Sequence, residues 1–193
     1  MKNIVILILS LVIFSCQQGN TDSPQITTSP DPALEGFEIT DIPGTNYQKA
    51  VKKDEAGTVL EEGQLINGQR TGTWITYHGG QPFPKSLITY TGGLANGPYF
   101  EFNNRGQVEM KASYLNNKLD GPWATYKFGR PMNTANYKNG ELDGIYVEYA
   151  TGTGKPKKEI GYKEGKMHGR YIYFDEEGNV TLEYMYKNGE KVE

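Results

Sequence analysis

The chain has 193 residues, 22% charged and 36% hydrophobic, with 24 Gly, 14 Tyr, 2 Trp, 2 His and 1 Cys. Its formal net charge of −3 gives no broad attraction for nucleic acid phosphates or for an anionic membrane surface. A single cysteine excludes an intramolecular disulfide framework and a Cys-rich metal site, and a Gly content of about 12% against a usual 7% predicts many turns.

The chain opens on Met1-Lys2-Asn3 and then runs from Ile4 to Phe14 with Ser10 as its one polar residue. Eleven residues are too few to span a hydrocarbon core of about 30 Å, which needs roughly 20 in a helix, but they suit the apolar region of an export signal. Residues 1–15 are therefore expected to be a signal peptide. Ile13-Phe14-Ser15-Cys16 places a small residue directly before the only cysteine, and this resembles the lipobox of bacterial lipoproteins. The resemblance implies cleavage before Cys16, acylation of its thiol and a lipid anchor in the membrane. Gln17 in place of Asp implies the outer membrane over the inner one. The alternative for Cys16 is an unmodified thiol behind an ordinary signal.

Residues 16–46 are rich in Ser, Thr, Pro, Asp and Gly, with Pro24, Pro30, Pro32 and Pro43. Such a stretch has too little apolar surface to fold, so it is expected to be a linker with a reach on the order of 30 Å.

Residues 47–193 carry an internal repeat. Tyr90, Tyr114, Tyr137, Tyr162 and Tyr186 recur at spacings of 23 to 25 residues, and Gly72, Gly97, Gly121, Gly144 and Gly169 recur in step. Two residues after each Gly stands an aromatic: Trp74, Tyr99, Trp123, Tyr146 and Tyr171. Within a unit the side-chain period is two. Ile75/Tyr77, Phe100/Phe102, Ala124/Tyr126, Val147/Tyr149 and Ile172/Phe174 alternate with Thr, Glu or Tyr, which predicts a half-buried strand. A second alternating run follows a turn such as Asn103-Asn104-Arg105-Gly106, so each unit is expected to be a hairpin. The link between units carries two glycines, the second preceded by Thr71, Asn96, Asp120, Asp143 or His168, and reads as a tight turn. Asp54 to Glu61 reads as a degenerate half-unit that begins the array, and Tyr186 to Glu193 as a truncated last one. The expected fold is all-β, an elongated antiparallel meander of stacked hairpins with 11 or 12 strands, an open stack in preference to a closed barrel.

The unit spanning Tyr137 to Tyr149, or Tyr162 to Phe174, resembles the MORN repeat in its bacterial variant, over about residues 54–193. The resemblance implies a non-enzymatic protein-binding or scaffold module, or alternatively an antitoxin or immunity partner of one toxin. The exported start favours the envelope role.

Catalytic and metal chemistry finds little to work with. His78 and His168 both occupy turn-like slots, and two histidines give a zinc site or a Cys/His nucleophile few ligands. Glu101 and Glu148 lie two units apart, about 19 Å if each strand adds about 4.8 Å, beyond the roughly 5–9.5 Å of paired glycosidase carboxylates. Gly152-Thr153-Gly154-Lys155 lacks the first Gly and the final Ser or Thr of a phosphate-binding loop. Asn179-Val180-Thr181 is a glycosylation sequon only in a eukaryotic secretory protein. No catalytic residue, cofactor or metal is therefore expected; an enzyme with dispersed active-site residues is the remaining alternative of another class. The candidate binding residues are Trp74, Tyr99, Trp123, Tyr146 and Tyr171, on the face opposite the Ile75/Tyr77 pairs. They either fill the sheet's second face or form an exposed contact stripe. The expected partners are the membrane, through the lipid on Cys16, and a protein; nucleic acid is not expected.

Overall fold

A computed structural model describes residues 34–192. The expected signal, Cys16 and most of the expected linker lie outside the described residues. What is described is one antiparallel sheet with no helix, built in chain order as a meander and not closed. Its strands are β1 (Phe37–Asp41), β2 (Tyr47–Lys53), β3 (Val59–Ile66), β4 (Gln69–Tyr77), β5 (Pro84–Thr91), β6 (Leu94–Phe102), β7 (Val108–Leu115), β8 (Lys118–Leu119), β9 (Gly121–Lys127), β10 (Arg130–Lys138), β11 (Glu141–Leu142), β12 (Gly144–Tyr149), β13 (Pro156–Lys163), β14 (Lys166–Phe174), β15 (Val180–Lys187) and β16 (Glu190–Lys191). Among the described residues β1 pairs only with β2 and β16 only with β15, so these two strands form the edges of the described sheet.

The sixteen strands exceed the expected 11 or 12 for two reasons. Asp120 and Asp143 interrupt strands that are otherwise continuous, which separates β8 from β9 and β11 from β12. The sheet also starts early: β2 and β3 form a whole hairpin in place of the expected half-unit, and β1 lies inside the expected linker. Phe37 draws it there, with its ring 5.7 Å from that of Trp74 at 68°.

Two kinds of connection alternate. Between units, pairs such as Asn139-Gly140 hold both residues at positive φ, 52° and 92°. That is the type I′ turn, whose twist matches that of the strands it joins. The turn also bonds to the unit before it: the Gly140 amide donates to the Leu119 carbonyl at 2.7 Å and that of Gly165 to Leu142 at 2.9 Å. Within units, Asp54, Asn103 and Asp175 each accept two backbone N–H bonds across the loop through one side-chain oxygen, the Asx chemistry that makes such loops compact.

The second glycine of each link stands not in a turn but in or at the start of the returning strand. At Gly97, φ is +126°, and the pairing there jumps from Ile88↔Tyr99 to Tyr90↔Ala95. Such a bulge bends the strand and re-aims the side chains beyond it. Asp120 and Asp143, just before two of these glycines, accept the first turn amide of the next unit, Asn139 at 2.9 Å and Glu164 at 3.3 Å. Their slot caps the neighbouring turn.

Candidate binding surface

Cross-strand pairing assigns every side chain to one of two faces. The ring face holds Trp74 opposite Ile88, Tyr99 opposite Ile88 and Ala112, Trp123 opposite Ala135, and Tyr171 opposite Ile160 and Tyr184. On the ladder face one register row crosses the sheet, including Glu62, Ile75, Leu87, Phe100, Lys111, Ala124, Thr134, Val147, Glu159, Ile172 and Glu183.

The ring face is the core. Trp74, Tyr99 and Trp123 are 1%, 6% and 9% exposed, so these three do not form an exposed contact stripe. The reason lies in what stands opposite them: Ala112, Ala135 and, under Trp74, Gly63 leave room for a ring to lie across the neighbouring strand. A Cβ on Gly63 would come within 2.2 Å of the indole. That indole donates to the Gln64 carbonyl at 3.1 Å, and the Arg70 guanidinium stacks 3.9 Å from the ring while bonding Glu61 at 2.7 Å. Trp123 donates to Met110 Sδ at 3.2 Å and meets Tyr137 edge-on. Tyr99 donates to Glu101 at 2.5 Å, and burial first, then that carboxylate, pushes its hydroxyl far above the usual tyrosine range. Tyr146 and Tyr171 are only half-buried. Tyr146 donates to Asn133 at 2.8 Å, and Tyr171 shares a 2.9 Å bond with Tyr173.

Most of the ladder face is half-buried, with Ile172 buried and Lys111 and Glu183 exposed, and its apolar groups are interleaved with charge. Glu62 takes Lys49 at 2.9 Å and the Tyr77 hydroxyl at 2.7 Å. Tyr77, held as the donor to that carboxylate, is raised to about 12, while the Tyr77 and Lys49 bonds lower Glu62. Phe100 stacks on Phe102 at 6.3 Å, and Lys111 lies 5.3 Å over Tyr126. Arg170 and Glu183 form a two-bond pair at 2.6 and 3.1 Å.

The remaining sequence candidates sit apart from one another. His78 Nε2 lies 2.9 Å from the Phe102 carbonyl and ties two neighbouring hairpin loops. His168 belongs to strand β14 rather than to a turn, in the slot of Asp120 and Asp143. Glu101 is engaged by Tyr99, and Glu148 by Lys157 and Lys158 at 2.9 and 2.8 Å, bonds that lower its pKa. The Gly152–Lys155 loop is tied to its neighbours, by Arg130 on the Gly152 carbonyl at 2.7 Å and by Lys155 on the Glu176 carbonyl at 2.9 Å. Asn179 bonds Asp175 within its own loop. Among the described residues no group of three or more His, Cys, Asp and Glu is placed to hold a metal.

No family model matches the chain, and no curated protein matches it. Among solved structures it is similar to a mutant of S. aureus TarM in complex with fondaparinux, alpha-GlcNAc-glycerol and UDP, at 10% identity and a TM-score of 0.31, covering 70% of this chain and 21% of that one. It is also similar to the GtfA/B complex bound to UDP and GlcNAc, at 14% identity and a TM-score of 0.29, covering 82% and 25%. The chain thus spans between a fifth and a quarter of each of these, and likeness at this level carries no argument about what it does.

Proposed function

We propose that this protein is a non-enzymatic binding or scaffold protein of the bacterial cell envelope. It is held to a membrane, the outer one by preference, through lipid on Cys16, and its MORN-like repeats act through the ladder face. The carrying observation is the division of labour between the faces. The rings at Trp74, Tyr99 and Trp123 are spent on the core, whereas the ladder face offers half-buried groups such as Ile75, Leu87, Phe100 and Val147 in successive units, with the ion pairs Lys49–Glu62 and Arg170–Glu183 toward its two ends. A repeated, mixed apolar and charged surface on a rigid sheet suits an extended partner.

Two measurements test the reading. Mass spectrometry of the mature N-terminus should find Cys16 acylated; an unmodified terminus elsewhere defeats the anchoring. Capture from envelope extracts should be lost on Phe100→Ser with Val147→Ser and kept on Tyr171→Phe. A partner captured equally by the ladder variant would move the binding surface off this face.

A further inference from the structure

The five bulge glycines are alike in sequence and unlike in surroundings. A side chain from the preceding strand stands beside four of them: a Cβ built at Gly72 would lie 3.8 Å from Gln64, at Gly97 3.2 Å from Thr89, at Gly121 3.4 Å from Ser113 and at Gly144 3.2 Å from Asn136. Gly169 has nothing within 4 Å, because the covering slot in its unit is Gly161. Nor can that slot be filled simply: a Cβ on Gly161 would sit 2.2 Å from the His168 carbonyl oxygen. Over this slot lies a hollow of about 340 Å³ on the ladder face, lined by Ile172, which is 4% exposed, and by Ile145, which is 57% exposed. That volume lies in the range of small-ligand sites, which begins near 300 Å³.

The polar lining is incomplete in a way the other units are not. Glu62 and Glu183 occupy the same slot as Glu159, and each is paired, with Lys49 and Tyr77 or with Arg170. Glu159 is half-buried, lines the hollow, and makes no hydrogen bond or ion pair among the described residues. Arg170, also in the lining, faces both Glu159 and Glu183, so two carboxylates meet one guanidinium and negative charge is in excess. His168 adds a buried Nδ1 with no partner, and such atoms in native structures call for an explanation.

We infer that the hollow over Gly161 and Gly169 is a binding site for a primary ammonium on an aliphatic body, its chain against Ile145 and Ile172 and its charge at Glu159. This does not rest on the proposed scaffold role. The shared chemistry is that of a free alkylamine or of a lysine side chain presented by a protein, and the probes separate the two.

The test is amide NMR of the full-length chain titrated with hexylammonium, N-acetyl-lysine amide, hexanoate and hexanol. Saturable shifts at Gly161, Gly169 and Ile172 are expected with the cations, at least tenfold tighter than with hexanoate or hexanol. Tighter binding of hexylammonium assigns a free amine, and of acetyl-lysine amide a protein lysine. Glu159→Gln should weaken binding at least tenfold, Arg170→Gln should tighten it severalfold, and Glu62→Gln, the paired equivalent, should change it less than twofold. No saturable shift, equal binding of hexanol or hexanoate, or indifference to Glu159→Gln in a folded variant overturns the site.

Discussion

Trp74 and Tyr171 hold the same place in their repeats, yet one is 1% exposed and the other is half-buried. The difference is in their neighbours. Trp74 has Gly63 beneath it, Arg70 stacked on it, and Phe37 and Tyr90 edge-on at 5.7 and 6.2 Å. Tyr171 has Ile160 and Tyr184 opposite it and meets three tyrosine rings, tilted at 44° to 59°, and beyond them the described sheet ends in the two-residue β16. Among the described residues no second layer covers the rings, so each is buried by the units beside it, and the unit of Tyr171 has fewer described strands after it than before it.

This comparison can be broken by mutation. Trp74→Ala should cost about 3–5 kcal/mol and Tyr171→Ala distinctly less, about 1–2 kcal/mol, read as shifts in the urea midpoint. Equal losses would mean that position in the stack does not set burial. Gly63→Ala should cost about 1–3 kcal/mol by forcing a methyl into the Trp74 ring, and combined with Trp74→Ala the losses should fall short of their sum.

A smaller effect of opposite sign is expected at Phe128. It holds φ at +52° with its ring 75% exposed, a conformation that costs a bulky residue and that Asn adopts readily. Phe128→Asn should raise stability by about 0.5–1 kcal/mol in thermal unfolding; a loss would show that the ring packs on something. The slightest change is spectroscopic. Tyr77 is raised to about 12 by its bond to Glu62, so that bond's contribution is complete below the ordinary tyrosine value near 10 and is lost as pH climbs through about 12. Glu62 is lowered, so its part is present above the ordinary glutamate range and fades as pH falls below it. Burial raises other tyrosines as well, Tyr99 and Tyr114 among them, so the titration is read residue by residue from ring NMR shifts, where Glu62→Gln should return Tyr77 toward 10 and leave Tyr99 high.

The repeat was legible in sequence because turn chemistry and a two-residue period recur in register, and the antiparallel meander follows from those alone. The opposition of Trp74 to Ile75 was legible too. Which of the two faces becomes core was not, because a strand's own alternation cannot say which side is covered. The signal lay across strands: residues opposite the rings are Ala112, Ala135 and Ile88, whereas those opposite the ladder include Glu62, Lys111 and Glu183. β1 was hidden by the prolines and glycines around it, although Phe37-Glu38-Ile39-Thr40-Asp41 alternates correctly. The hollow was out of reach, since Gly161 becomes a gap only once the side chains of Thr89, Ser113 and Asn136 are seen beside their glycines.

The two tryptophans of the chain, Trp74 and Trp123, both belong to the ring face, so fluorescence reads the central assignment directly. Folded protein should emit at blue-shifted wavelengths and resist acrylamide quenching until it unfolds, with Trp74→Phe and Trp123→Phe variants each retaining a shielded signal. Red-shifted emission, quenched in the native state as freely as in urea, would put the rings in water and contradict the assignment of that face to the core.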